Sequence, residues 1–333
     1  MADKYSDKDY LFLTAMLRAR QAAMLTEEQM EQMIASGSFS AAAGVLSEIG
    51  WPDMSGMDSQ GVNTALAARR DGLLNELARL TPQSETVNIF RIRYDYHNAK
   101  SLIKGEAVGA EIGHLLSAAG RVSAEELTKA FQKDDYRAVP DKLGAAMREA
   151  KAVLARTANP QLADFILDRA CYAEMTATAA ALGNDYATGY IRRQIDVANL
   201  RTAVRCARVG RGGDFMENAL IPDGTVSPER ILAAGAGAEG IVSVFTDSAF
   251  KKAAALGGEV LKGGRLTAFE LECDNVLARY VRDAKMHGFG PEAVIGYLGA
   301  EENNITAARM ILTGLIAGMD PERLKERLRE TYV

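Results

Sequence analysis

Residues 91–105 read RIRYDYHNAKSLIKG and carry an aspartate and an asparagine three positions apart, Asp95 and Asn98. The apolar residues around this pair recur at the spacing of a single stripe along an α-helix. They are Ile92, Tyr96, Ala99, Leu102 and Ile103. Because residues three apart are neighbours on a helix surface, the pattern predicts a helix that holds an acid and an amide side by side.

The same acid-x-x-Asn spacing occurs twice more along the chain. Asp196 and Asn199 lie in IRRQIDVANLRTAV, and Glu301 and Asn304 lie in YLGAEENNITAARMIL. The acids and the asparagines are both separated by 101 and then 105 residues, and the first and fourth positions after each asparagine are apolar. A single pair carries no information, whereas three pairs in one register indicate a threefold internal repeat.

Signals for helix starts repeat with a similar period. Thr26 and Ser123 are each followed three residues later by a Gln or a Glu, which is the capping box of a helix N-terminus. Ser227 precedes a proline, a residue favoured at the first helical position. These three positions are 97 and 104 residues apart, so two unrelated markers give the same approximate period.

The chain shows no segment with the period-two alternation of a β-strand, because its β-branched residues are scattered through helical patterns. We therefore predict an all-α protein built from three repeats of one helical unit. Three equivalent units can close around an axis and leave a central opening, which suits a socket. The predicted repeats are residues 1–105, 106–210 and 211–333.

The composition is that of a soluble protein. The 333 residues are 48% hydrophobic and 25% charged, with a net charge of −5, which does not favour nucleic-acid binding. The three cysteines are far apart in sequence, which is typical of a reducing compartment rather than of a disulfide framework. No uncharged apolar run approaches the ~18 residues of a membrane span, and the N-terminus lacks the pattern of a secretory signal.

Formal matches to ligand-binding motifs are weak. Residues 235–240 fit the dinucleotide fingerprint, but a helical pattern rather than a strand precedes them, so we interpret them as a joint between helices. The chain contains no Gly-Lys dipeptide and hence no Walker A loop. The histidines, His97, His114 and His287, are isolated in sequence. We predict no catalytic, metal or cofactor site.

The acid-x-x-Asn pairs have two interpretations. One is a catalytic or metal-binding carboxylate, and the other is a polar contact between packed elements. Because an active site rarely needs three equivalent copies, the repetition favours the structural interpretation.

Basic residues cluster on the helices that carry the first two pairs. They form either a solvated face or an interface with an acidic partner, a role for which arginine is favoured. The candidate interface residues are Arg91, Arg93, Lys100, Arg192, Arg201 and Arg205.

The segment YDYHNAKSLIKG, residues 94–105, resembles the hallmark of one family: the C subunit of prokaryotic V-type (A-type) ATPases and ATP synthases, counterpart of the d subunit of vacuolar proton pumps. The resemblance extends over the whole chain and includes Asp196, Asn199 and Arg201 in the second copy. The third copy departs, because Thr306 stands where the family usually has a basic residue.

The resemblance implies an all-helical funnel or socket in which the three repeats are related by pseudo-threefold symmetry. It also implies a non-catalytic rotor subunit of the central stalk. Such a protein sits on the cytoplasmic face of the membrane, between the central-shaft subunits and the membrane proteolipid ring. It transmits torque as one copy in a larger complex, without cofactor, nucleotide or nucleic acid. Either a proton or a sodium ion could be the translocated ion. Two alternatives stay open: a helical-repeat scaffold or adaptor unrelated to ion pumping, and an all-α enzyme that uses Asp95 or Asp196.

Overall fold

The computed structural model describes residues 5–235 and 237–333, and over these ranges it contains α-helices, three short 3-10 helices and no β-strand. The prediction of an all-α protein is therefore confirmed. The α-helices are α1 Leu11–Gln21, α2 Glu27–Ala35, α3 Phe39–Glu48, α4 Ser59–Leu80, α5 Glu85–Val108, α6 Ala124–Lys133, α7 Asp141–Thr157, α8 Pro160–Leu182, α9 Asp185–Arg208, α10 Gly213–Ala219, α11 Pro228–Ala234, α12 Ala238–Phe245, α13 Lys251–Leu261, α14 Leu266–Asp283, α15 Pro291–Ile316 and α16 Pro321–Lys325.

The helix starts predicted from the sequence are the ones the chain uses. The Thr26 hydroxyl accepts a hydrogen bond from the Gln29 backbone N–H at 3.2 Å, and the Gln29 side chain accepts one from the Thr26 N–H at 3.0 Å. Ser123 forms the same reciprocal box at the start of α6. Ser227 caps α11, with proline at the first helical position. Each cap satisfies backbone donors that the first turn leaves unpaired.

The glycine-rich stretch that fits the dinucleotide fingerprint lies between two helices. α11 ends at Ala234, Gly235 adopts a left-handed φ of 73°, and α12 begins at Ala238. Within this stretch, Ala236 lies outside the described residues. Because a helix enters this stretch where the fingerprint requires a strand, the interpretation as a joint between helices is confirmed.

Two compact units make up the chain. The first combines the chain up to Pro82 with Phe245–Val333, and the second is Gln83–Val244. In the first unit, α15 packs against α2, α3 and α4, and the buried cluster includes Met33, Leu46, Leu66 and Ile311. The boundaries of the three predicted repeats, and their closure into a funnel, stay predictions, since compactness and sequence repetition are different properties.

In the second unit, α8 packs against α5 and α9, the helices that carry the first two acid-x-x-Asn pairs. Lys100 and Lys104 of α5 form ion pairs with Asp168 and Asp164 of α8, at 2.5 and 2.7 Å. Because the partners descend along α8 as they ascend along α5, the two helices are antiparallel. None of the helices in the described ranges has both the length and the apolar content needed to cross a membrane.

Candidate functional site: the acid–asparagine clasps

Asn98 binds the backbone of the loop that follows its own helix. Its Nδ2 donates to the Ser117 carbonyl oxygen and its Oδ1 accepts from the Ser117 N–H, both at 2.8 Å. The asparagine is fully buried. A primary amide carries one acceptor and two donors, so this side chain can satisfy both backbone groups of one residue.

Asp95 lies one turn before Asn98 on α5. It binds the same loop at Val122, five residues after Ser117. Its Oδ1 accepts from the Val122 N–H at 3.1 Å, and its Oδ2 accepts from Arg121 Nε at 2.7 Å. Arg121 also donates to Glu174 of α8 at 2.8 Å, and the Tyr96 hydroxyl donates to the same carboxylate at 2.9 Å. The acid and the asparagine together form a clasp, by which we mean two side chains of one helix that bind the backbone of one loop.

The second pair makes the same clasp. Asn199 exchanges hydrogen bonds with the carbonyl oxygen and N–H of Ile221, at 2.7 and 2.8 Å. Asp196 accepts from the backbone N–H groups of Thr225 and Val226, at 2.9 and 3.2 Å, and from the Thr225 hydroxyl. Ile221 precedes Val226 by the same five residues that separate Ser117 from Val122, so the two loops are held in one register.

Each clasped loop needs a glycine at the point where it meets the carboxylate. A Cβ added to Gly120 would overlap Asp95 Oδ1, and one added to Gly224 would overlap Asp196 Oδ1. These glycines belong to the tetrapeptides GRVS and GTVS, residues 120–123 and 224–227, of which the sequence reasoning used only the serines. The repeated Gly-x-Val-Ser was the signal for the loops that the clasps bind.

The third pair is built differently. Glu301 binds Arg69 of α4, with Arg69 Nη2 donating to Oε2 at 3.1 Å. Asn304 Nδ2 is buried and finds no hydrogen-bond partner among the residues that the structure describes. The equivalent loop would precede Thr26, and there Ala23 stands at the position of the two glycines. A Cβ at this position would obstruct the close approach that the other two clasps use.

The three acids share one electrostatic signature. Burial raises the pKa of Asp95, of Asp196 and of Glu301, each against the opposing effect of its hydrogen-bond donors. Their side chains are 0%, 0% and 2% exposed, so none reaches a substrate dissolved in water. In the described ranges no group of three or more His, Cys, Asp or Glu residues is arranged to hold a metal ion. The arrangement can hold loops in place.

A second series of acids, not predicted from the sequence, also recurs along the chain. Glu76, Glu174 and Glu272 follow one another at intervals of 98 residues and lie on the helices α4, α8 and α14. Each binds an arginine, at 2.7, 2.8 and 2.6 Å for Arg20, Arg121 and Arg279 in that order. Their regular interval was a readable signal, whereas their arginine partners follow no common spacing.

The candidate interface residues divide into two groups. On α5, Arg91 donates to the carbonyl oxygens of Ala119 and Gly120, at 3.3 and 2.5 Å, and so adds a third hold on the first loop. Arg93 lies over the ring of Tyr94, and Lys100 pairs with Asp168. On α9, Arg192 and Arg205 are exposed and Arg201 is half-buried. Arg192 and Arg205 of α9 are therefore exposed at the surface of the chain, and the three α5 residues make the contacts named above.

Comparison with known proteins gives one consistent result. The profile of the family described as ATP synthase (C/AC39) subunit matches residues 13–327. The C subunit of the V-type sodium ATPase of Enterococcus hirae is 26% identical over 328 residues, which cover 97% of this chain and 99% of that protein. The C subunit of the A-type ATP synthase of Methanocaldococcus jannaschii is 22% identical over 96% of this chain and 86% of its own. The C subunit of the V-type ATP synthase of Thermus thermophilus is 24% identical over 63% and 69%.

Proposed function

Because the chain belongs to the ATP synthase (C/AC39) subunit family, we propose that it is the non-catalytic central-stalk subunit of a V/A-type ATPase or ATP synthase. In this role it joins the central shaft to the membrane rotor ring and transmits torque between ATP turnover and ion translocation. The observation that carries the proposal is the family match, which spans residues 13–327 and so covers nearly the whole chain.

The clasps support a mechanical role. A protein that transmits torque must keep its connections fixed under load, and both clasps tie a loop to the helix before it through buried hydrogen bonds. Buried polar contacts of this kind resist rearrangement, because breaking them leaves backbone groups unsatisfied away from water. The carboxylates of Asp95 and Asp196 are already engaged in these contacts, which disfavours the enzyme alternative.

The partners in this proposal are the shaft subunits and the proteolipid ring, and the location is the cytoplasmic face of the membrane. Exposed arginines of α9, Arg192 and Arg205, are the candidate contacts with an acidic partner surface. The protein associates with the membrane through the complex.

The test is a tagged pull-down of the full chain from gently solubilised native membranes, with the recovered proteins identified by mass spectrometry. Recovery of shaft subunits, the catalytic head and the proteolipid ring is the expected result. Recovery of unrelated soluble proteins instead, or of the chain alone, would contradict the proposal and favour a scaffold or adaptor.

A further inference from the structure

Glu301 differs from the other two repeated acids in what binds it. Asp95 and Asp196 both accept hydrogen bonds from backbone N–H groups, which stabilise a carboxylate whatever the side chains do. The ionic partner of Glu301 is a side chain, Arg69, and the phenol of Tyr297 faces the carboxylate and lowers its pKa. Its charge is therefore held by groups that can move.

Arg69 connects this carboxylate to a second buried group. Its guanidinium lies 4.1 Å from the centre of the Trp51 ring, a cation–π contact, while Nη2 reaches Glu301. The arginine side chain is 25% exposed and the glutamate 2%. Arg69 therefore has a route to water that Glu301 lacks.

The groups that face Glu301 come from three helices. α4 contributes Arg69 and α1 contributes Arg20, which also pairs with Glu76 of α4 at 2.7 Å. Tyr297 comes from α15 itself, one turn before the glutamate. Hydrogen bonding to Arg20 lowers the pKa of Glu76, so Glu76 keeps its charge when Glu301 takes up a proton.

We propose that Glu301 and Arg69 form a protonation-dependent joint between α15 and α4. A proton on the buried carboxylate neutralises it and removes the attraction that keeps the guanidinium between Glu301 and Trp51. The arginine then turns towards water, and the contact between α15 and α4 loosens at this point. The joint is a property of the chain alone and does not depend on the proposed function.

The sign of the effect follows from burial. Burial raises the pKa of Glu301, so the folded chain binds this proton more tightly than the unfolded chain does. As the pH falls, Glu301 therefore becomes protonated at a higher pH than an ordinary glutamate does. Above the raised pKa of Glu301 the ion pair with Arg69 is intact and the joint is closed. Below this pKa the ion pair is lost and the joint is open.

Trp51 makes the joint observable, because it is the single tryptophan in the chain. Its emission, recorded on the full chain while the pH falls from neutral to mildly acid, should change in one sigmoidal step centred above the ordinary pKa of a glutamate. Far-UV circular dichroism over the same range should stay constant, which separates the step from unfolding. An emission that does not change with pH would overturn the proposal.

Four variants assign the step. Glu301→Gln should abolish it, and Asp196→Asn, which changes a clasped acid, should leave it intact. A step that survives in Glu301→Gln and disappears in Glu76→Gln would assign the titration to Glu76 and overturn the proposal. Arg69→Met provides a second route where Glu301→Gln does not fold, because it removes the group that couples Glu301 to Trp51 and should also abolish the step.

Discussion

At the scale of single residues, two asparagine side chains satisfy buried backbone groups that a helix or sheet would otherwise satisfy. Ser117 and Ile221 lie in loops, where their buried N–H and C=O groups have no helical partner, and Asn98 and Asn199 supply one. A loop can be buried only when such groups are satisfied. The two asparagines therefore make burial of the loops possible rather than adding to a contact that already exists.

The three asparagines should differ in what they contribute to stability. Replacing Asn98 or Asn199 with alanine leaves two buried backbone groups unpaired and should lower the free energy of unfolding by about 1–3 kcal/mol. Asn304→Ala is the matched control, because the Nδ2 of Asn304 binds no group in the described ranges; it should cost less than about 1 kcal/mol. Urea unfolding followed by circular dichroism gives the three values, and equal costs would contradict the distinction.

Glycines near the clasped acids should be intolerant of a methyl group. Gly120→Ala places a Cβ against the Asp95 carboxylate, and such overpacking should destabilise the chain by about 1–3 kcal/mol. Gly72→Ala is the control, because the site lies inside α4 with no atom within 4 Å of the added Cβ. That change should stabilise the chain by about 0.5–1 kcal/mol, since alanine favours helix. Thermal unfolding of both variants decides whether close approach or loop flexibility sets the need for Gly120.

At the scale of elements, each clasp ends where a helix begins. Asp95 binds the Val122 N–H, and the next residue, Ser123, caps α6. Asp196 and Ser227 stand in the same relation at α11. The clasp thus fixes the point in space from which the following helix starts, and the cap fixes its first turn.

The two caps should not be equally important. Ser123 forms a full capping box with Glu126, so Ser123→Ala should cost about 1 kcal/mol, towards the middle of the range for lost N-caps. In α11, the Ser227 hydroxyl is 3.4 Å from the Arg230 N–H, so Ser227→Ala should cost less. Denaturant midpoints of the two variants provide the comparison, and a larger loss for Ser227→Ala would show that the cap geometry does not control helix stability here.

Many features of the individual helices could be predicted from the sequence. Thr26, Ser123 and Ser227 marked true helix starts, because capping depends on residues close in sequence. The acid-x-x-Asn spacing located the clasping side chains for the same reason. The repeated Gly-x-Val-Ser marks the loops that the clasps bind, but the individual contacts could not be predicted. Asn98 reaches Ser117 and Asn199 reaches Ile221 across loops whose path no local pattern specifies. The pairing of Glu301 with Arg69, 232 residues away, is further still from any local signal.

At the scale of the whole molecule, one compact unit contains both the beginning and the end of the chain, and the other contains the middle. A sequence repeat runs along the chain and cannot reveal such a return. Two of the three repeated pairs, at Asp95 and Asp196, fall in the middle unit, and the third falls in the other. The two complete clasps therefore belong to one unit, and the departure at Glu301 belongs to the unit that the chain re-enters.

Association with partner proteins should depend on the exposed arginines of α9 rather than on total charge. The double change Arg192→Glu and Arg205→Glu should reduce the shaft or ring proteins recovered with the chain, because it reverses charge on a surface proposed to meet an acidic partner. Arg156→Glu reverses a charge on an exposed part of α7 and should leave recovery unchanged. Equal recovery from all three proteins would remove these residues from the interface.

The difference between the clasped and unclasped pairs also has a mechanical meaning. A loop tied at two points by buried hydrogen bonds is a stiff element under a twisting load. Asn98 and Asp95 tie the first loop in that way, and Asn199 and Asp196 tie the second. Around Glu301 the hold is one side chain resting on another. Elastic strain concentrates where a structure is most compliant. In the proposed role under torque, we therefore expect the chain to flex first around Glu301, and the two clasped loops to pass the load on with little deformation.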